Sequence, residues 1–395
     1  MATERQLLKA NIWKFYLLRI LTKFAFFAPI IVLFWQDNGL SLTEIMILQS
    51  IYSIAIVLME VPTGYFADVF GRRKSLIHAG TFTGLGFFAY SLGSSFMHFA
   101  VAEILIAFGL ALASGADTAF LYDTLKDLKQ EKQFKKIWGN MFFYGLLVLA
   151  FSSIAGGYIG KINFRWTLSA TAFFIALTIP IAFSMHEPRR HKKIFKKGYT
   201  YELYKILKYA LVKNKKLRWL LIYSGLTYGL LQAVIWFYQP YFELGGLDII
   251  YFGFVYAAFN IIAATTGKYA HILEGKLGEK FSLALIPLLI AVAYLLMGKF
   301  VFIFGFVFAF LHQFTRGFSK VVLADYINKL TKSEIRATVL SGANLLQRLA
   351  YALIIPFAGW YADIYTIPQT LTVLGVTTAA IGAVLLWILH SRKVI

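Results

Sequence analysis

Arg19 and Lys23, four residues apart, interrupt an apolar run, and Arg316 and Lys320 do so again at the same spacing. Arg348, Glu60, Glu103 and Asp117 are the other charges inside such runs. A charge at the centre of a membrane helix costs about 2.5–3.5 kcal/mol on insertion scales, so each must be paired, wet or kept for a ligand. The four-residue spacing puts each basic pair on one helix face, with Gln313 on the same side as Arg316. At about 1.5 Å per residue, Arg19, Lys23, Arg316 and Arg348 fall near mid-depth. Guanidinium and ammonium groups so placed can hold an anion. Glu60, between Met59 and Val61, can carry a proton, with Asp117 as its competitor and as the rival partner for Arg19. Gln232 and Trp236, with Tyr238, Tyr256 and Asn260, can wall such a site, although aromatic residues in an apolar chain usually pack. The chain holds no phosphate-cradling Gly-x-x-x-x-Gly-Lys-Ser/Thr loop and no metal-ligand cluster, so no cofactor or metal is expected. With no nucleophile and base pair and no selectivity ring, an enzyme or a channel is disfavoured.

The elements that position these groups are read from composition. The chain is 59% hydrophobic and 15% charged, with a mean hydropathy of +0.67, more apolar surface than one soluble core buries. Apolar stretches near the 20 residues needed to cross a bilayer lie at 12–36, 41–67, 75–95, 98–122, 138–158, 166–185, 218–241, 248–270, 281–298, 300–324, 336–360 and 369–390. Twelve spans are therefore expected, with the first retained rather than cleaved. The net charge of +20 does not point to nucleic acid, because 31 of the 39 basic residues fall in alternate connections and only Lys161, Arg165 and Lys299 in the others. That asymmetry puts both termini in the cytoplasm, where the basic loops meet anionic lipid. The absence of cysteine removes disulfide and thiolate chemistry.

Residues 187–216 form a basic connection between an N-terminal set, 1–186, and a C-terminal set, 217–395. Leu203, Ile206, Leu207, Ala210 and Leu211 follow helical spacing, which suggests an amphipathic helix on the membrane surface. The two sets echo one another. Gly115 and Asp123 match Gly317 and Asp325, and Glu131 and Gly139 match Glu334 and Gly342. Gly64, Ala67, Gly71, Ser75 and Leu76 match Gly267, Ala270, Gly278, Ser282 and Leu283 with four residues inserted. Internal repeats of this kind mark secondary transporters.

GYFADVFGRRKSL, residues 64–76, ends the second span at the cytoplasmic face and resembles the signature loop of the major facilitator superfamily. EVPTGYFAD, SGADTAFLYD and RATVLSGANLLQRL also resemble a bacterial branch of it. The resemblance covers the whole chain. It implies an all-α membrane protein of twelve transmembrane helices in two pseudo-symmetric six-helix bundles. It also implies that helices 1, 4, 7 and 10 line a central cavity, which is where most of the intramembrane charges fall. In the family pattern Asp68 receives the N-terminus of helix 11 and Arg72 pairs with Asp123. Gly64 admits a neighbouring helix and Gly71 a tight turn. Together Gly64, Asp68, Gly71, Arg72 and Asp123 would be a cytoplasmic latch, while the positive-inside rule suffices for Arg73 and Lys74. His271 and Glu279 stand where Asp68 and Arg72 would recur, so the second copy should carry no latch.

The expected protein is a monomeric, proton-coupled transporter of the bacterial cytoplasmic membrane working by alternating access. Its substrate would be a small anionic or zwitterionic organic solute, of carboxylate or siderophore type, bound by Arg19, Lys23, Arg316, Lys320, Arg348, Gln232 and Trp236. Its partners are that solute, protons and membrane lipids. The alternative is a multidrug/proton antiporter for amphipathic compounds, which would ordinarily need an acid left without basic partners.

Overall fold

The computed structural model describes residues 3–189, 208, 212, 214–332, 335–392 and 394. The amphipathic stretch expected within 187–216 falls largely outside the described residues. Among those described, every regular element is helical. They are α1 (Glu4–Leu21), α2 (Ile31–Asp37), α3 (Leu42–Phe70), α4 (Arg72–Leu92), α5 (Phe96–Asp127), α6 (Phe134–Ile162), α7 (Phe164–Ala176) and α8 (Thr178–Ser184). After the linker come α9 (Lys215–Ala233), α10 (Tyr238–Leu244), α11 (Ile249–Lys299), which is two helices divided by non-helical backbone at Gly278, α12 (Phe306–Lys329), α13 (Arg336–Ile364) and α14 (Ile367–Ser391). Eight helices among the described residues are long and apolar enough to cross a membrane.

Three stretches read as single spans are broken. The span expected at 12–36 is α1 and α2 separated by residues 22–30, that at 166–185 breaks at Leu177, and that at 218–241 passes through a 3-10 turn, Val234–Trp236. Each break has a proline within it or just beyond it. Pro29, Pro180 and Pro240 cannot donate to the carbonyls of Ala25, Ala176 and Trp236, and their rings crowd those carbonyls. Pro62, Pro287 and Pro356 are carried inside α3, α11 and α13, so proline alone does not mark a break.

The chain folds as two compact units. One comprises Met1–Gly39, Ile51–Phe195 and Ile249–Ala257, the other Leu40–Ser50, Lys196–Asp248 and Ala258–Ile395. The start of α11 thus packs with the first unit, where Gly253 leaves room for the Ser153 carbonyl on α6. The start of α3 packs with the second, where Gly359 leaves room for Leu42.

The sequence repeat reappears as geometry. A Cβ on Gly115 of α5 would lie 3.2 Å from the Gly64 Cα of α3, and one on Gly317 of α12 would lie 3.0 Å from the Gly267 nitrogen of α11. Gly71 and Gly278 are likewise equivalent, each turning the chain at positive φ, +112° and +73°. At Gly64 itself an added Cβ meets nothing within 4 Å. The expectation that Gly64 admits its neighbour is therefore corrected: the missing side chain that permits the crossing belongs to Gly115.

The break at 22–30 is held by α6. The Ser152 hydroxyl accepts from the Ala25 amide at 3.2 Å and donates to the Lys23 carbonyl at 3.4 Å. One turn on, an added Cβ at Gly156 would stand 2.0 Å from the Phe26 carbonyl oxygen. Backbone groups released from a helix at membrane depth must be satisfied by protein in this way. Gly156→Ala should accordingly cost about 1–3 kcal/mol through overpacking. Gly139→Ala on the same helix meets no atom within 4 Å and should be neutral or stabilising by up to about 1 kcal/mol. Thermal unfolding of the two purified variants checks the contrast.

Candidate functional site

In the first unit Arg19 closes α1 and Asp117 lies on α5, and their side chains form an ion pair at 2.7 Å. The Arg19 guanidinium also lies over the Trp138 ring, 5.3 Å from its centroid. Asp117 accepts from the Thr118 amide at 2.5 Å and its hydroxyl at 3.1 Å, so the carboxylate is held from both sides. Of the two partners open to Arg19 in the sequence, the structure joins it to Asp117.

Lys23 stands two residues past the end of the helix that carries Arg19. Because α1 ends at Leu21, Lys23 lies in the broken stretch, exposed, with its stem across Gly145. Glu60 is half-buried on α3, where its carbonyl accepts from the Thr63 hydroxyl at 3.3 Å. Glu103 is buried on α5 and accepts from the Tyr90 hydroxyl at 2.8 Å.

In the second unit the aromatic and amide residues are joined by hydrogen bonds, with Gln313 and Tyr238 buried among them. Trp236, in the 3-10 turn, donates its indole N–H to the Tyr351 hydroxyl at 2.6 Å. Gln313 donates to Tyr238 at 3.1 Å, and Gln347 to Ser224 at 2.7 Å. Gln232 reaches Tyr228 at 3.5 Å. Arg316 on α12 donates to the Asn260 side chain of α11 at 3.3 Å, a neutral acceptor. Lys320, one turn on, is exposed, and Arg348 on α13 is half-buried.

Around the signature loop, Arg72 hydrogen-bonds to Asp123 and donates to the Ala119 carbonyl at 2.7 Å. Asp68 is exposed at the end of α3. A partner not foreseen in the sequence is Glu187. The N-cap residue of α4 is Gly71, which has no side chain to receive the first amides of the helix. Glu187 receives them instead, accepting from the Arg72 and Arg73 amides at 2.8 Å each. Arg73 answers by donating to the carbonyls of Ala182, at 3.3 Å, and Phe183, at 2.5 Å, which end α8. The positive-inside rule is thus too small an account of Arg73. The same segment is tied to α1, where the Asn11 side chain donates to the His186 carbonyl at 2.7 Å and accepts from its amide at 2.9 Å. A readable signal existed: an arginine pair beginning a helix behind a glycine calls for an acid elsewhere.

Glu187→Gln keeps the shape and removes the charge that meets these amides. It should cost about 0.5–2 kcal/mol, the worth of an N-cap. The thermal midpoint of the purified protein should fall, whereas the same change at exposed Glu243 should leave it in place.

The sequence matches the Major Facilitator Superfamily over residues 15–355. An uncharacterized transporter, BU466, of Buchnera aphidicola subsp. Acyrthosiphon pisum is 25% identical over 241 residues, 57% of this chain and 58% of that one. The chain therefore matches under two thirds of that relative's length. Among solved structures, the nucleoside transporter NupG superposes with a TM-score of 0.82 at 14% identity, over 96% of this chain and 98% of that one. A bacterial homologue of the human lysosomal transporter Spinster, inward-facing and unoccupied, gives 0.75 at 14% identity, over 99% and 98%. A POT family transporter in complex with a thioalcohol-conjugated peptide gives 0.70 at 13% identity, over 98% and 96%. At these identities the likeness is one of fold.

Proposed function

The chain belongs to the Major Facilitator Superfamily and is a transporter rather than an enzyme, and from that premise we propose that it moves a small organic anion or zwitterion by proton-coupled alternating access. We propose further that its helices form twelve spans in two six-helix bundles, 1–186 and 217–395, in a bacterial cytoplasmic membrane with both termini inside. The observation that carries the substrate class is the charge balance of the second unit. Arg316, Lys320 and Arg348 stand on α12 and α13, where the two acids of the same helices, Asp325 and Asp363, are engaged by Lys329 and by the start of α3, so this stretch is rich in cations. In the first unit Arg19 is matched by Asp117. Trp236, Tyr351 and Gln232, half-buried in the second unit, would suit the organic part of such a solute with aromatic faces and an amide, while Gln313 is packed inside against Tyr238. Nucleoside and peptide transporters among the structural neighbours are compatible with a polar organic substrate. Asp68, Gly71, Arg72 and Asp123 serve in this reading as the cytoplasmic latch, with Gly64 at the crossing beside it.

Arg316→Gln and Arg348→Gln should each weaken binding of the organic anion by about 1.5–3 kcal/mol, the worth of a hydrogen bond to a charged group, or roughly 10- to 150-fold. Thermal stabilisation of the detergent-purified parent and variants across organic anions and lipophilic cations measures this. Stabilisation by the cations alone would favour the multidrug antiporter instead.

Coupling is assigned to Glu60 in the same reading, an acid half-buried between Met59 and Val61 on α3, with Asp117, paired to Arg19, as its competitor. Glu60→Gln mimics the protonated acid at nearly constant shape. In proteoliposomes it should retain substrate exchange and lose accumulation driven by a pH gradient. Retained accumulation there, with the loss appearing in Asp117→Asn, would move the role to Asp117.

A further inference from the structure

The five residues GYFAD, 64–68, recur as GWYAD, 359–363. The first copy closes α3 and the second ends α13, and on the expected topology these two ends face opposite sides of the membrane. Within the second unit, the second copy is seated on the first turn of α3. Asp363 accepts from the Leu42 amide at 2.9 Å with one oxygen, and with the other from the Thr43 amide at 2.8 Å and the Thr43 hydroxyl. Gly359, one turn earlier, makes the approach: an added Cβ there would lie 2.7 Å from the Leu42 carbonyl and 2.9 Å from the Thr43 Cα. The contact continues at Ser50, whose hydroxyl donates to the Ala352 carbonyl at 2.8 Å.

The start of α3 is fully accounted for. The Glu44 amide goes to the Ser41 hydroxyl at 3.2 Å and the Ile45 amide to the Ser41 carbonyl at 3.0 Å, both local. The two remaining amides, those of Leu42 and Thr43, depend on a carboxylate some 320 residues away. A local cap travels with its helix. A remote one must break when the two helices part.

We propose that Asp363, with Gly359 and Thr43, is a second latch, which holds the start of α3 to the end of α13 and opposes the latch of Asp68 at the other ends of the same two helices. The proposal rests on the alternating-access reading. In it each aspartate is assigned to the first amides of the other helix; the close approach is made by Gly359 in the second copy, whereas Gly64 in the first meets nothing within 4 Å. Substrate enters from one side only when the carboxylate on that side has let go, so the balance of the two carboxylates sets which face is closed at rest.

The test uses the full-length chain with one cysteine introduced at Gln232, labelled by a membrane-impermeant maleimide in right-side-out and in inside-out vesicles. Asp363→Asn should raise labelling from one face and lower it from the other. The shift should be about two- to thirty-fold, the range that losing a helix cap corresponds to. Asp68→Asn should shift the ratio in the opposite direction, and the double variant should return it toward the parent value. Thr43→Val, which removes only the hydroxyl bond, should give a smaller shift of the Asp363→Asn sign, and it carries the test if Asp363→Asn does not fold. If Asp68→Asn shifts the ratio while Asp363→Asn and Thr43→Val do not, Asp363 is a structural cap and the proposal falls alone. If none of the three shifts it, alternating access under latch control falls, and the proposal with it.

Discussion

The first turn of a helix carries amide groups without partners in the helix itself, and where those amides find acceptors decides what the helix is tied to. α1, α7, α9 and α14 answer the need locally, with side-chain caps from Thr3, Asn163, Asn214 and Thr366. Such helices carry their caps with them. α4 and α3 do otherwise, since Glu187 caps the one from beyond α8 and Asp363 shares in capping the other from the end of α13. A remote carboxylate gives about the same free energy as a local one, but it also fixes one helix to another. The chain therefore contains helix ends of two mechanical kinds, and the remote kind marks places where rigidity is set, or released, by a single charge.

The same constraint applies to the broken stretches. Residues 22–30 leave the helix, and freed groups of Lys23 and Ala25 are received by Ser152 while Gly156 lets α6 close on Phe26. Trp236 lies in the corresponding break between α9 and α10, and its indole is anchored on Tyr351. Discontinuous helices in transporters bring backbone groups and side chains together near a binding site. Lys23 and Trp236 both owe their positions to such breaks, although they read as residues of continuous helices in the sequence.

Hydrophobic run length and charge asymmetry made the helical segments legible, and the eight-residue Gly-to-Asp spacing made the repeat legible, because both depend only on position along the chain. The contact of Arg72 with Asp123 was legible through the family pattern. What stayed hidden is what depends on three dimensions. Gly64 and Gly115 look equivalent as letters, but only the Gly115 Cβ would point into the neighbouring helix. Glu187 is one acid in a basic linker until Gly71 is seen to leave the amides of Arg72 and Arg73 exposed. Arg19 and Lys23 read as one turn of a continuous helix, but the helix ends at Leu21 and Lys23 belongs to the stretch beyond it. Prolines at 29, 180 and 240 signalled the breaks, but Pro62, Pro287 and Pro356 lie inside helical stretches with no break beside them, and α11 breaks instead at Gly278, so the signal needed packing to interpret it.

The two copies of the repeat then diverge in an informative way. Gly64 with Gly115, and Gly267 with Gly317, build the same crossing in each unit, and Gly71 and Gly278 make the same left-handed turn after it. The backbone architecture is thus duplicated. The charges are not: Asp68 and Arg72 have His271 and Glu279 in their places. Instead of an ion pair at the crossing, the second copy has Glu274 receiving the Tyr326 hydroxyl at 2.8 Å and Asp325 bound to Lys329 at 2.7 Å on an exposed face, where such a pair adds little. Glycine positions persist because they set how closely two helices pass, which either half needs in order to fold. A charge is needed only where one element has to be held against another, as Arg72 is held by Asp123 in the first copy and the start of α3 by Asp363 on α13.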